Sequence, residues 1–303
     1  MVEPASADDA PGLAELHNAV YPDDLNTAGA ERHRFVTARP EHERRAWKVV
    51  RGGRIVGRAR ASLEPYSSTP GRAMANVSVH PAERSRGVGS MLWDVVAEHV
   101  EAIGASRITV EGLDDEASQR FCAQRGFTRR STSEVLALDP RSIPPPGATP
   151  AGVEIAPFSR FEDDVETMYR VDHDAFQDEP SPFDNDAMTL EQWLDITFRH
   201  PDFAADLSMV ALVGGKVVGM TMLYADHERG KAANGGTGVL REHRRRGIAT
   251  LLKRHSLALA AASGITQVST ANDGTNDPML AVNRKLGFAR SSVRHYWVLD
   301  LAG

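Results

Sequence analysis

One cysteine in 303 residues, Cys122, has no partner for an internal disulfide and offers no multi-cysteine framework for a metal, so no metal is expected. A reduced, cytoplasmic setting is expected instead. No apolar run approaches the roughly 20 residues that a bilayer-spanning helix requires. The opening MVEPASADDA is acidic and small rather than basic and then apolar. Neither a membrane span nor a secretory leader is therefore expected. Positive charge is not in excess either, because the net charge is −6. Binding to nucleic acid is driven by phosphate neutralisation over an extended basic surface, so nucleic acid is not an expected partner. The stretch HRRRGIAT at residues 243–250 is then a local feature that needs its own explanation.

What is present is a repeat. GGRIVG begins at Gly52 and GGKVVG at Gly214, the loop glycines are Gly87 and Gly247, and Gly-Phe pairs stand at Gly126 and Gly287. The three landmarks keep one order and nearly one offset, which marks two copies of a single unit. Between them DPRSIPPPGATPAG holds three successive prolines, which favour extended geometry and remove backbone donors. The expected division is residues 1–140, a linker at 141–152, and residues 153–303. At 41% apolar and 25% charged residues, such a chain can bury two cores without covalent staples.

Each copy repeats a pattern of mixed α and β. β-rich apolar runs flank Gly52-Gly53 and Gly214-Gly215 and read as hairpins. The next strand, NVSV or GTGVL, runs into the arginine-glycine stretch. Leu92, Val95, Val96, Val100 and Ile103 then recur at helical spacing before Gly104. In the second copy Ile248, Leu251, Leu252 and Leu259 do so less regularly, because His255 interrupts the stripe. RITVEG and ITQVST follow as strands, then a helix ending in Gly-Phe and a last strand such as SVRHYWVLDL.

The arginine-glycine stretch therefore sits where a strand turns into a helix. A helix start offers free N–H groups and partial positive charge to a phosphate, provided the chain can come close. Gly87 and Gly89, or Gly247 and Ala249, remove bulk there, while Arg84 and Arg86, or Arg244, Arg245 and Arg246, add charge at the mouth. The pattern is R-x-x-G-x-G/A in both copies. Neither has the G-x-G-x-x-G of dinucleotide-binding folds or the G-K-[ST] ending of the P-loop.

This arrangement resembles the GCN5-related N-acetyltransferase superfamily, whose coenzyme pyrophosphate loop has the form Q/R-x-x-G-x-G/A. The resemblance spans both halves and includes the closing segments ASQRFCAQRGF and NDPMLAVNRKLGF, similar to the family's N-x-x-A-x-x-x-Y-x-x-x-G-F. It implies an α/β (α+β) fold of two tandem domains, each a mixed, mostly antiparallel twisted sheet flanked by helices. It also implies an acetyl-CoA-dependent N-acetyltransferase acting on the primary amine of a small molecule by direct attack in a ternary complex. The coenzyme contacts it implies are Val77, Val79, Arg84, Arg86, Gly87, Gly89 and Ser90 in the first copy. In the second they are Thr237, Gly238, Val239, Arg244, Arg245, Arg246, Gly247, Ile248, Ala249, Thr250 and Asn276.

The family's tyrosine four residues before the Gly-Phe glycine is absent, with Cys122 and Asn283 in its place. Asn283 can donate a hydrogen bond to a leaving sulfur but cannot transfer a proton. Tyr296 and Tyr224 are other candidate acids, and Asp226, His227 and Glu228 are candidate bases, with His295 a weaker one. Because the second copy keeps Asn276 and the stronger basic loop, it is expected to carry the catalysis, the first being structural or a degenerate coenzyme binder. Asp172, Asp174, Asp178, Glu179, Asp184 and Asp186 either draw in a cationic acceptor by electrostatic steering or belong to an ordinary solvated loop. A cysteinyl amino sugar is one acceptor worth trying, a non-catalytic acyl-CoA binder or sensor is the competing class, and a homodimer is left open.

Overall fold

The computed structural model describes residues 1–181, 183 and 186–301. Asp184, one of the expected acceptor-steering carboxylates, lies outside the described residues. The chain divides into two compact units: unit 1 is Met1–Ser133, Ser181–Thr189 and Val293–Gly303, and unit 2 is Glu134–Pro180 and Leu190–Ser292. No helix of the described residues is long and apolar enough to cross a membrane.

In unit 1 the order is β1 (Val2–Pro4), α1 (Ala10–Val20), α2 (Ala28–Val36), β2 (Arg45–Arg51), β3 (Arg54–Leu63), β4 (Arg72–Val79), α3 (Val88–Ala102), β5 (Arg107–Leu113) and α4 (Glu116–Ala123). The strand β6 (Thr128–Leu138) starts in unit 1 and ends in unit 2. Unit 2 then repeats the plan with β7 (Val153–Pro157), α5 (Val165–Phe176), α6 (Leu190–Ile196), β8 (Met209–Val213), β9 (Lys216–Asp226), β10 (Lys231–Val239), α7 (Ile248–Ala262), β11 (Gln267–Asp273) and α8 (Asp277–Lys285). The last strand, β12 (Ala289–Asp300), begins in unit 2 and finishes in unit 1.

Both predicted hairpins form, β2 with β3 and β8 with β9, turning at the paired glycines. α3 presents Val88, Leu92, Val96 and Val100 to a core shared with Val56, Ala59, Ala61, Ala73 and Ala75. Burial of each valine or leucine of that stripe contributes roughly 1.5–3 kcal/mol. In α7 the stripe runs through Leu252, Ser256, Leu257 and Ala260, and Leu259, expected on the buried face, is exposed. The small residues at 256 and 260 carry the stripe past His255, so hydrophobicity alone misplaced it.

The last strand departs from the expected division at 153–303. Arg294 to Asp300 pair antiparallel with Leu113 to Arg107 of β5, so the closing strand belongs to unit 1. In unit 2 the place beside β11 is taken by the tail of β6. Both segments are β-forming and both follow a Gly-Phe pair, so nothing in their periodicity specifies which edge each one meets.

Candidate coenzyme and acceptor sites

Each unit opens a cleft by letting two parallel strands diverge. β4 pairs with β5 only from Arg72 to Ala75, and β10 pairs with β11 only from Lys231 to Ala233. Beyond those points residues 77–79 and 237–239 keep their antiparallel partners on β3 and β9 but lose the ladder on the other edge. Backbone groups on that edge are left to bind something else. In unit 2 a bulge between Asn234 and Gly236 re-aims the strand just before it opens.

The diverging strand ends at the glycine loop. Gly87 and Gly247 sit at φ 80° and 78°, left-handed conformations that favour glycine, and neither caps its helix with a side chain. The first amide of the next turn to find an intrahelical acceptor is Met91, bonded to Gly87 O, and in unit 2 Leu251, bonded to Gly247 O. The N–H groups of Val88, Gly89 and Ser90, and of Ile248, Ala249 and Thr250, thus have no acceptor within their helix. A Cβ added at either loop glycine would meet no protein atom within 4 Å, so the space beside these amides is open. That is a cradle suited to a pyrophosphate. Gly89 has a different role: a Cβ there would lie 3.3 Å from the Phe121 ring, so the glycine makes room for an aromatic side chain.

The arginines divide in function. Arg84 donates to Val79 O at 3.4 Å and to Asp115 at 3.1 Å, and Arg244 donates to Val239 O at 2.9 Å, Asp178 at 2.8 Å and Ala175 O at 3.2 Å. These two fasten the strand end to the loop, whereas the sequence placed them free at the mouth. Arg86 is exposed and pairs with Glu83 at 3.1 Å, and Arg246 meets His243 at 3.1 Å. Arg245 is exposed and lines the unit 2 cavity, where Ser85 stands in the corresponding cavity of unit 1.

The two cavities differ at their inner ends. In unit 2 about 670 Å³ is lined by the loop, Thr237, Gly238, Val239 and Asn276, and by Ala175, Phe176, Asp178 and Glu179. A Cβ on Gly236 would lie 2.7 Å from the Phe176 ring, and one on Gly238 2.8 Å from the Ala175 methyl, so α5 rests directly on the bare strand. In unit 1 about 350 Å³ is lined by the loop, Val77, Val79 and Cys122 and continues to Tyr21 and Glu111. Leu13, Leu16 and Val20 of α1 are buried with the spacing of Met168, Val171 and Ala175 in α5, so Tyr21 stands where Phe176 does. Register places Ser78 and Asn76 on β4 where β10 has Gly238 and Gly236.

The expected catalytic residues do not gather at the unit 2 cavity. Asp226 pairs with Lys231 where β9 turns into β10, and its carboxylate accepts from the Arg229 N–H. At about 3.3 Å per residue, that turn with His227 and Glu228 lies some 20 Å along β10 from Thr237, and none of the three lines the cavity. Asn283 is fully buried and donates to Asn272 at 2.7 Å, pinning α8 to β11 instead of facing a leaving sulfur. Asn276 lines the cavity and caps α8, accepting from the Met279 N–H at 3.3 Å. Tyr224 donates its hydroxyl to Ile196 O at 2.7 Å. His295 lies between Thr132 and Asp114, at 3.2 and 2.9 Å. Cys122 does face the unit 1 cavity, with burial pushing its thiol up to about 11.

Tyr296 belongs to unit 1. Its hydroxyl donates to Glu111 at 3.1 Å, Arg294 donates to the other Glu111 oxygen at 3.1 Å, and Arg294 also pairs with Asp24. Burial, and then the Glu111 carboxylate, hold the phenol above its ordinary value. Glu111 and Tyr21 escape the sequence reading, whose candidate acids and bases lie in the second copy apart from Cys122.

Several of the acidic residues at 172–186 are engaged with other groups. Asp178 is taken by Arg241 and Arg244, Asp186 accepts from Ser68, and Asp174 meets His173 at 3.3 Å. Asp172 accepts from the Trp193 indole at 2.9 Å, and burial pushes its carboxyl up to about 7. Burial also raises Glu179. Among the described residues no group of three or more His, Cys, Asp or Glu is placed to hold a metal.

The acetyltransferase (GNAT) family model matches residues 10–127 and again 165–288. A mycothiol acetyltransferase of Clavibacter michiganensis subsp. michiganensis is 28% identical over 294 residues, covering 93% of this chain and 89% of that protein. One of Saccharomonospora viridis is 28% identical over 244 residues, covering 75% and 74%. Among solved structures, a tandem GNAT protein from the clavulanic acid biosynthesis pathway superposes with a TM-score of 0.74 at 21% identity, covering 100% of this chain and 99% of its own. A GCN5-related N-acetyltransferase from Sphaerobacter thermophilus gives 0.72 at 21%, covering 99% and 95%. Two family matches, one in each repeat, together take in more than half of the sequence, and the chain belongs to the acetyltransferase (GNAT) family as a tandem member and an acyltransferase.

Proposed function

We propose that this acyltransferase moves an acetyl group from acetyl-CoA to the primary amine of a small molecule by direct attack in a ternary complex, and that the reacting centre is in unit 1. One observation supports the choice of unit: Glu111, held by Tyr296 and Arg294, lines the unit 1 cavity together with the glycine loop, while in unit 2 α5 rests directly on the bare glycines of β10. This reverses the expectation drawn from Asn276 and the stronger basic loop.

The helix-start amides at residues 88–90 hold the coenzyme pyrophosphate, and the unpaired edge at residues 77–79 aligns its pantetheine arm. When bound, the coenzyme supplies an activated acyl thioester. The free strand amides donate to the oxygen on which charge develops, an effect worth several kcal/mol in related acyl transfers. Glu111, held by Tyr296 and Arg294, takes the proton that the amine must lose. The Cys122 thiol, raised to about 11, is protonated at neutral pH beside the same cavity. The wider cradle of unit 2 binds coenzyme without an acceptor beside it. The single cysteine supports a reduced, cytoplasmic setting.

The test is release of free coenzyme thiol from acetyl-CoA over a panel of primary amines. Amine-dependent release that falls about 10²–10⁴-fold in Glu111→Gln supports the reading. No release with any amine leaves the non-catalytic acyl-CoA binder. The relatives named mycothiol acetyltransferase favour a second acceptor class, a cysteinyl amino sugar, which belongs in the same panel.

A further inference from the structure

The face of the unit 1 sheet turned away from α3 carries charge that its neighbours do not balance. Along β3, Ala59 and Ala61 enter the α3 core, so Arg58, Arg60 and Ser62 point to the other face, where α1 and α2 lie. Arg58 is paired with Glu31 and His17, Arg34 with Glu31 and Asn26, and Arg44 donates to the Arg34 carbonyl. Arg60 has no hydrogen-bond or ion-pair partner among the described residues. Four guanidinium groups thus share one carboxylate, that of Glu31. Burial, followed by the charges of Arg58, Arg34 and Arg44, pushes Arg60 down to about 9. Arg60 is half-buried, so its guanidinium stays open to an anion that would meet the charge.

There is room for that anion, and little more. Arg44, Arg58 and Arg60 line a recess of about 20 Å³ with Trp47 and Glu31, space for roughly one water-sized or carboxylate-sized group. Strand register relates the recess to the reacting centre. Arg60 stands opposite Asn76, Ala75 opposite Val110, and Glu111 opposite Tyr296. Because Ala75 and Val110 enter the α3 core, Asn76 and Glu111 share the face of Arg60. Two strand spacings separate Arg60 from Glu111, about 10 Å between Cα atoms, a span that an arginine side chain and a small ligand together can bridge.

We propose that the acceptor of unit 1 carries a carboxylate as well as its amine, and that Arg60, backed by Arg44 and Arg58, holds that carboxylate while the amine faces Glu111. The acceptor is then a small amino acid. This rests on the acetyl-transfer reading above and narrows it to one substrate class.

The experiment compares amino acids with their own carboxamides, which keep the amine and lose the anion, on the intact protein and on Arg60→Met. Selectivity for the acid over the amide of about 10²-fold or more in kcat/KM, carried mainly by KM, is expected in the parent protein. In Arg60→Met the two forms converge to within about threefold. Amides that serve as well as acids, a preference that survives in Arg60→Met, or turnover of uncharged amino sugars alone overturns the proposal. A binding arm separates its failure from that of acetyl transfer. Thermal midpoints are recorded with glycine, β-alanine, acetate and chloride, without coenzyme. A rise with the amino acids that Arg60→Met loses upholds the carboxylate site even if no amine is acetylated. No rise overturns it, and an equal rise with chloride assigns the recess to a free inorganic anion and also overturns it. The variant removes a half-buried charge that lies among three other guanidinium groups, so its own midpoint without ligand is expected to match or exceed that of the parent.

Discussion

Tyr296 donates its hydroxyl to Glu111 across 3.1 Å, although 185 positions separate the two residues in the chain. The contact exists because the final strand returns to β5, and it sets a phenol and Arg294 on Glu111, which lines the unit 1 cavity. A carboxylate held by two donors keeps one orientation, which proton transfer from an amine requires.

Tyr296→Phe therefore tests whether the strand contributes to chemistry as well as to folding. Removing a donor to a charged acceptor costs about 1.5–3 kcal/mol, equivalent to a fall in kcat of roughly 10- to 150-fold. Steady-state rates should show that fall with the KM for acetyl-CoA unmoved. A rate equal to the parent's would dissociate Glu111 from the reaction.

Asn283 occupies the family's tyrosine position but serves packing. Asn283→Leu breaks the bond to Asn272 inside α8 and β11, and a loss of about 1–3 kcal/mol is expected in urea unfolding. Acetyl transfer per folded molecule should match the parent. A catalytic loss with full stability would restore Asn283 to the reaction.

The features readable from sequence were those set by local chemistry. The glycine loops, the hairpins and the α3 stripe each depend on a few consecutive residues, and all form as expected. Arg84 and Arg244 were recognised as motif members but not as clamps, since their partners Asp115 and Asp178 come from other elements. The closure of unit 2 by Phe176 depends on bare glycines 60 or more positions away, and no window of sequence contains both. One further signal is legible: Arg58, Arg60 and Ser62 alternate with apolar residues along β3, the mark of a polar face opposed to a core.

Acid unfolding should expose the Glu31 cluster. Burial raises this carboxyl, but Arg34 and Arg58 outweigh it and hold it at about 2, below its ordinary 4.5. A depressed acid contributes stability that is present above the unfolded value and is lost as pH falls from about 5 towards 2, roughly 3 kcal/mol in all. Glu31→Gln should flatten the stability curve across that window while lowering it at neutral pH. A slope identical to the parent's would assign acid sensitivity to other groups.

Cys122 should be a poor nucleophile in the folded state. With its thiol at about 11 and 4% exposed, iodoacetamide at pH 8 should modify it at least about 100-fold more slowly than free cysteine. Modification at the free-thiol rate would mean that the cavity wall opens in solution.

The most direct measurement is amine-dependent thiol release by Gly87→Glu and Gly247→Glu, paired with calorimetric titration of acetyl-CoA into each. Each substitution strains a left-handed glycine and sets a negative charge over the helix-start amides. The account predicts that Gly87→Glu abolishes turnover, whereas Gly247→Glu loses one coenzyme site and keeps acetylating. Turnover lost in Gly247→Glu and retained in Gly87→Glu would contradict it and place the reaction in unit 2.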